Sequence, residues 1–233
     1  MKSIKSIFLS ILLFFLVFQV NHADETEMPY RSMLQKLDQE EVTPETWRSI
    51  YLEMEKEDGS LLKIELLRPL WWIELNKAKV GGTIDLEMKE IGAVGEAKVL
   101  SIGACTVDTR QTEKDAQVVT AKFTHESAEV LDLYFENSET PLGVTTEHPL
   151  YSFDRKDWVE AGQLNIDEYV QTKDGKAKLL KSEQRPGRYT VYNIEVHRTH
   201  NYYVSELCVL AHNTYISSFD DLMRASTNAK KLS

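Results

Sequence analysis

From residue 80 onward the chain breaks into short stretches in which apolar and polar residues alternate, many of them closed by glycine, proline, asparagine or aspartate. Period-two alternation of this kind marks a strand with one face buried and one face wet. Strands are expected at 83–88, 95–102, 118–124, 130–135 and 142–145, then at 168–172, 177–181, 189–196 and 202–210. Asn137, Ser138 and Pro141 punctuate one pair, and Lys173-Asp174-Gly175 is a hairpin turn. No long helical pattern intervenes. The expected fold is all-β.

The residues before this region form a smaller unit. Ile50, Leu52 and Met54 alternate with polar residues, Asp58-Gly59 supplies a turn, and Leu62, Ile64 and Leu66 alternate again, which predicts a β-hairpin. Upstream, Met33, Leu34 and Leu37 fall at helical spacing and predict a short helix over 31–40, broken by Thr43-Pro44-Glu45. Pro69 and the apolar run through Trp71, Trp72 and Ile73 predict one helical turn. Paired tryptophans either mark a binding surface or plug the space between two β-units, and the plug is the expectation.

Lys2 and Lys5, the apolar run 7–18 and Asn21-His22-Ala23 follow the order of a secretory signal peptide, so residues 1–23 are read as a leader. The run is short for a membrane span, although an uncleaved amino-terminal anchor is the alternative. The expected mature chain is exported and soluble. It carries 25 basic against 37 acidic residues once Lys2 and Lys5 are gone, a net charge of −12. Phosphate backbones and anionic lipid repel such a chain, which excludes nucleic acid and membrane surfaces as partners. Cys105 and Cys208 lack metal-binding spacing, and form either one disulfide or two separate buried thiols. The expected division is a leader at 1–23, a helix-plus-hairpin unit at 24–76, the main β-domain at 77–213 and a tail at 214–233.

Two places carry chemistry. In Thr145-Thr146-Glu147-His148-Pro149 a strand ends at a hydroxyl and an imidazole, and Pro149 holds His148 extended. Such a pair hydrogen-bonds an amide and protonates its nitrogen as the bond breaks. In Leu210-Ala211-His212-Asn213-Thr214 a strand delivers an asparagine to the domain's edge. Its side-chain amide can attack its own carbonyl, close a succinimide and expel the amine of Thr214. That attack is intramolecular, so orientation supplies much of its rate. His212 would hold the carbonyl or protonate the departing nitrogen. Taken singly, each motif is also what a capped loop histidine or a chance His-Asn would give. His197 and His200 form His-x-x-His, a weak metal motif with only Glu195 near in sequence. His125 reads as a surface turn residue, and Asp132 as solvent-facing within its strand.

Together, these blocks strongly resemble the Hint (Hedgehog/intein) family, in particular the Hint domains of bacterial polymorphic toxins. Thr145 to Tyr151 is similar to that family's Thr-x-x-His block, and Trp158-Val159-Glu160-Ala161-Gly162-Gln163-Leu164 to its Trp-Val-x-Ala-Gly-x-Leu turn. Val191 to Val196, His200-Asn201-Tyr202-Tyr203-Val204 and Leu210 to Asn213 match its closing blocks in order. The resemblance implies a horseshoe-shaped intein-like β-domain with the hairpin as a small amino-terminal appendage. It implies self-directed chemistry on the chain itself, with no cofactor. In toxin systems it implies a module that releases a carboxy-terminal effector. His200 is then a closing-block residue that supports the Asn213 site.

One departure stands out. The family begins with Cys followed by Ala-Gly-Thr, and Gly81-Gly82-Thr83 is the counterpart, which leaves Ala78 where the nucleophilic Cys belongs. The usual first acyl shift then has no nucleophile. Direct attack by Thr214 on the upstream junction is the remaining route to splicing. Cleavage after Asn213 alone survives the loss, with Asn213, His212, His200 and Thr214 as its residues, while Thr145 and His148 belong to the upstream junction. A catalytically silent secreted scaffold or binding module is the alternative.

Overall fold

In a computed structural model, residues 30–88, 93–107 and 117–213 are described. The expected leader and the tail, including Thr214, lie outside the described residues.

Helix α1 (Tyr30–Gln39) comes first, then the hairpin β1 (Trp47–Glu55) and β2 (Leu61–Pro69), then the short α2 (Leu70–Leu75). Next are β3 (Thr83–Met88), β4 (Ala93–Ala104) and the long β5 (Val119–Phe135). The rest of the chain supplies β6 (Leu142–Val144), β7 (Pro149–Ser152), β8 (Asp157–Glu160), β9 (Tyr169–Thr172), β10 (Gly175–Val196), β11 (Asn201–Val204) and β12 (Val209–His212). All pair antiparallel in one sheet of order β11-β12-β7-β9-β10-β5-β2-β1-β4-β3, with β6 on β5 and β8 on β7. The fold is all-β, as expected. Among the described residues, no helix is long and apolar enough to cross a membrane.

The hairpin register shows why alternation was a sound guide. Ile50, Leu52 and Met54 lie opposite Leu66, Ile64 and Leu62, and all six are buried. The hairpin sits inside the sheet, with β1 paired to β4 and β2 to β5. Residues 30–76 therefore share one core with the start of the main domain: Leu37, Trp47, Trp72, Ile84, Val99 and Phe123 pack together. Of the two tryptophans, Trp72 is the plug, while Trp71 is half-buried and donates to Glu40.

A second core gathers Leu133, Leu150, Val170, Leu179, Val209 and Ala211. The β5–β10 ribbon joins the two cores, running from Leu179↔Phe135 at one end to Val196↔Val119 at the other. Four strands were expected where these two lie. Glu126-Ser127-Ala128 and Pro186-Gly187 suggest breaks, but register shifts between Arg185 and Tyr189 let the ribbon continue past the proline. The reverse error occurs at 202–210, where one strand was expected. Ser205 and Cys208 adopt φ of 63° and 50° and turn the chain, giving β11 and β12 as a tight hairpin.

Asp132 corrects another expectation. Its side chain is buried against the Arg185 guanidinium, whose Nε lies 3.0 Å from both carboxylate oxygens. His125 is in β5, not a turn, with Nε2 2.7 Å from Ser60 Oγ. Cys105 and Cys208 are both free thiols.

Where the ribbon enters the first core, Arg68 and Glu195 form a buried ion pair at 3.0 Å, with Thr120 Oγ1 donating to the other carboxylate oxygen at 2.8 Å. Removing one member of a buried pair leaves the other charge uncompensated. Glu195→Ala is expected to cost about 3–5 kcal/mol of unfolding free energy, read in urea melts. A loss within about 1 kcal/mol, on the scale of a surface pair's contribution, would show that the pair adds little.

Candidate active site

The β11–β12 hairpin places His200, His212 and Asn213. Its ladder pairs Asn201 with His212, and one step further the backbone N–H of Asn213 donates to the carbonyl of His200 at 2.8 Å. Asn213 is thus tied down at the end of β12, and it is buried. Its side-chain Nδ2 donates to the carbonyl of Ile194, on β10, at 2.9 Å.

His212 is fully buried. Its ring stacks on Trp158 of β8, with centroids 4.6 Å apart and planes at 22°. Its Nδ1 lies 2.6 Å from Asn201 Oδ1, an atom that only accepts, so Nδ1 carries the hydrogen. Nε2 is then a bare lone pair, and among the described residues it has no hydrogen-bond partner. Burial, aided by the neighbouring His200 and His148, pushes the His212 pKa down to about 3. The ring is neutral.

His200 has the opposite character. It holds a left-handed φ of 54°, a conformation that costs a non-glycine residue energy and that collects at working sites. Nε2 reaches both oxygens of Asp38, on α1, at 3.1 and 3.2 Å. Burial opposes its charge, yet the hydrogen bond and attraction from Asp38, with Glu195 beyond, raise its pKa above the ordinary value. Nδ1 is buried, with no partner among the described residues. The two rings stand edge-to-face with centroids 6.5 Å apart.

His148 reaches the same region through Tyr202. The tyrosine hydroxyl lies 3.3 Å from His148 Nε2 and donates to Asn193 Oδ1 at 2.7 Å, and Asn193 precedes the residue whose carbonyl holds Asn213. Burial lowers the His148 pKa to about 4 and raises that of Tyr202. Thr145 and His148 are joined through the backbone, His148 N–H to the Thr145 carbonyl at 3.2 Å. Both line a cleft of about 830 Å³, together with Tyr202 and Asn193.

The Trp158–Leu164 block now has a physical reason. Ala161 N–H donates to the His148 carbonyl and Gly162 N–H to the Thr146 carbonyl, each at 2.9 Å, which pins the Thr145–His148 loop. A Cβ on Gly162 would collide with Thr146 Cγ2. Gly162→Ala must push that loop aside, at an expected cost of about 1–3 kcal/mol. Urea melts check it, and unchanged stability would mean that the loop yields freely.

The structure brings His148, His200, His212 and Asn213 together. It leaves Thr145 at the cleft, and Thr214 is outside the described residues. Sequence reasoning missed the roles of Trp158, Asn201, Tyr202, Asn193 and Asp38. The first four were visible as members of recurring blocks, but nothing local announced Asp38. His197 Nε2 lies 2.8 Å from the Glu40 carbonyl, so the two histidines of His-x-x-His are held by different groups. Among the described residues, no cluster of three His, Cys, Asp or Glu has the geometry to hold a metal.

A family model, the pretoxin Hint domain, matches residues 72–214. The chain belongs to the pretoxin Hint domain family. It therefore carries a Hint domain of the autoprocessing kind, with the site above at its carboxy-terminal boundary. Solved structures similar to it are inteins and intein-like domains. A bacterial intein-like domain from Clostridium thermocellum is 19% identical and covers 72% of this chain and 99% of its own, with a TM-score of 0.38. The VidaL intein is 17% identical, covering 71% and 92%, at 0.37. The TvoVMA intein is 11% identical, covering 72% and 98%, at 0.39. No curated protein matches the chain.

Proposed function

We propose that this is an exported Hint-domain protein that cuts its own backbone after Asn213. Asn213 Nδ2 attacks the Asn213 carbonyl carbon. As that C–N bond forms, the C–N bond to Thr214 breaks, and Thr214 nitrogen takes up a proton and leaves as a free amine. The upstream fragment ends in a succinimide. No cofactor takes part.

The observation that carries this reading is the fixed position of Asn213: buried, clamped by its backbone to His200, and flanked by two histidines whose surroundings shift their pKa values in opposite directions. Titratable groups driven apart by their surroundings are suited to be base and acid. The bare Nε2 of neutral His212 accepts the proton that Nδ2 must lose. His200, whose charged form Asp38 favours and whose Nδ1 has no partner among the described residues, gives a proton to the leaving nitrogen. The Ile194 carbonyl orients the amide beforehand. Ala78 packs on the first core beside α2, its N–H on the Ile73 carbonyl at 2.9 Å, and as an alanine it offers no nucleophile for an upstream acyl shift. His148 and Thr145 therefore have no step in this cleavage. Released peptide begins at Thr214, the position an effector occupies in a toxin-release module, and the leader directs export.

The test is to hold the purified full-length chain at neutral pH and follow it on denaturing gels over days. A shift to a shorter species is expected. A full-length band that persists in folded protein favours the silent scaffold.

A further inference from the structure

Helix α1 lies upstream of the residues matched by the family model, yet its last turn is fastened to the turn that carries His200. Arg198 Nε donates to the Asp38 carbonyl at 3.1 Å and its Nη2 to the Glu40 carbonyl at 3.2 Å. His197 Nε2 meets the Glu40 carbonyl at 2.8 Å, and the Asp38 carboxylate meets His200 Nε2. Basic side chains suit this place, because the carbonyls of a helix's last turn have no partners within the helix and carry the negative end of its dipole. Beneath them Leu37 is buried in the first core, so the helix is anchored on both sides.

Asp38 is half-exposed and 162 residues from His200 in sequence. No packing need explains an aspartate there, since a helix of this polarity disfavours an acid near its carboxy-terminal end. The imidazole explains it. A carboxylate accepts the N–H of the ring nitrogen it faces, which fixes the orientation of the histidine, and it favours the charged ring, in which the other nitrogen carries a hydrogen too. That other nitrogen is the buried Nδ1, and His200 lies across the ladder from Asn213.

We propose that Asp38 is the positioning residue of the cleavage site, holding His200 so that its Nδ1–H serves the Asn213–Thr214 bond, and that cleavage therefore requires the upstream helix to be docked. This rests on the cyclisation reading above. The groups facing His200 are Asp38 from α1, Glu195 from β10, Arg68 from β2 and His212 from β12. Asp38 and Glu195 favour its charge and Arg68 opposes it. Asp38→Asn keeps the shape and one hydrogen-bond acceptor but removes the charge, so the His200 pKa falls.

The experiment compares wild type with Asp38→Asn in the full chain, by two readouts. Cleavage is timed from pH 5 to 9. Because His200 acts as an acid with a raised pKa, the wild-type rate holds at low pH and declines as pH rises through that pKa. In Asp38→Asn the decline begins at lower pH, by about one unit, so the variant is about tenfold slower on the alkaline side and converges with wild type in acid. Asp38→Glu restores part of the difference. A variant slowed equally at every pH, or not slowed, overturns the proposal. The second readout is the His200 ring titration by NMR in the Asn213→Ala background, where nothing is cut. A midpoint that drops in Asp38→Asn supports the pairing, and a midpoint left in place overturns it. A wild-type chain that never cleaves sinks the cyclisation reading, while the ring titration still decides the Asp38–His200 pairing.

Discussion

An Asn213→Ala chain folds normally and does not cleave. The substitution removes the only nucleophile the proposed reaction has, and alanine brings none in its place. Intramolecular attack in good geometry has effective molarities of about 10⁵–10⁸ M, so replacing it by water leaves a rate too low to see over days. The structural cost is small by comparison: one hydrogen bond to the Ile194 carbonyl, about 1 kcal/mol. Circular dichroism and a urea midpoint close to wild type confirm the fold, and gels show the uncut chain. Cleavage of Asn213→Ala at the wild-type rate would mean that another residue, or a contaminating protease, cuts the bond.

The second large effect is acid lability. His148, His197 and His212 all have pKa values depressed by burial, to about 4 for His148 and about 3 for His212. An unfolded histidine takes up its proton near pH 6.5, so as pH falls below that value the unfolded chain binds protons that the folded chain refuses. Stability is thus complete above about pH 6.5 and lost progressively down to the folded values. Each unit of depression is about 1.4 kcal/mol, so His148 and His212 together remove several kcal/mol by pH 3. His200 works the other way: its contribution is present below its unfolded pKa and lost as pH rises through its raised folded one. Carboxylates held low, such as Glu168, add to acid unfolding only near their own range. The interval from pH 6.5 to 5 therefore belongs to the histidines. Urea melts at pH 7, 6 and 5 are expected to show a falling midpoint, which His148→Gln with His212→Gln flattens. A level midpoint across that interval would contradict the dry environment of these rings.

Much of this architecture was legible because burial is set by local pattern where strands have one wet face. Ile50, Leu52, Met54 and their partners needed only alternation and an Asp-Gly turn. The long β5–β10 ribbon was not legible, since Pro186-Gly187 reads as a break and the bulges that absorb it are set by the partner strand. Nor was the β11–β12 turn, because Ser205 and Cys208 adopt left-handed backbone that neither residue type signals. Asp132 was misplaced because its partner Arg185 arrives from 53 residues away. The site divides in the same manner. Asn213 and His212 declare their chemistry by type and adjacency. Trp158 under His212 and Asp38 against His200 do not, because tertiary structure alone makes them neighbours.

The most direct measurement is mass spectrometry of both products from freshly purified protein incubated at neutral pH. Cyclisation predicts a small peptide whose amino terminus is Thr214 and a large fragment ending at residue 213 that is one water lighter than simple hydrolysis would leave, gaining that water on standing. A large fragment that carries the full water from its first appearance, or a cut at any other bond, would contradict the account.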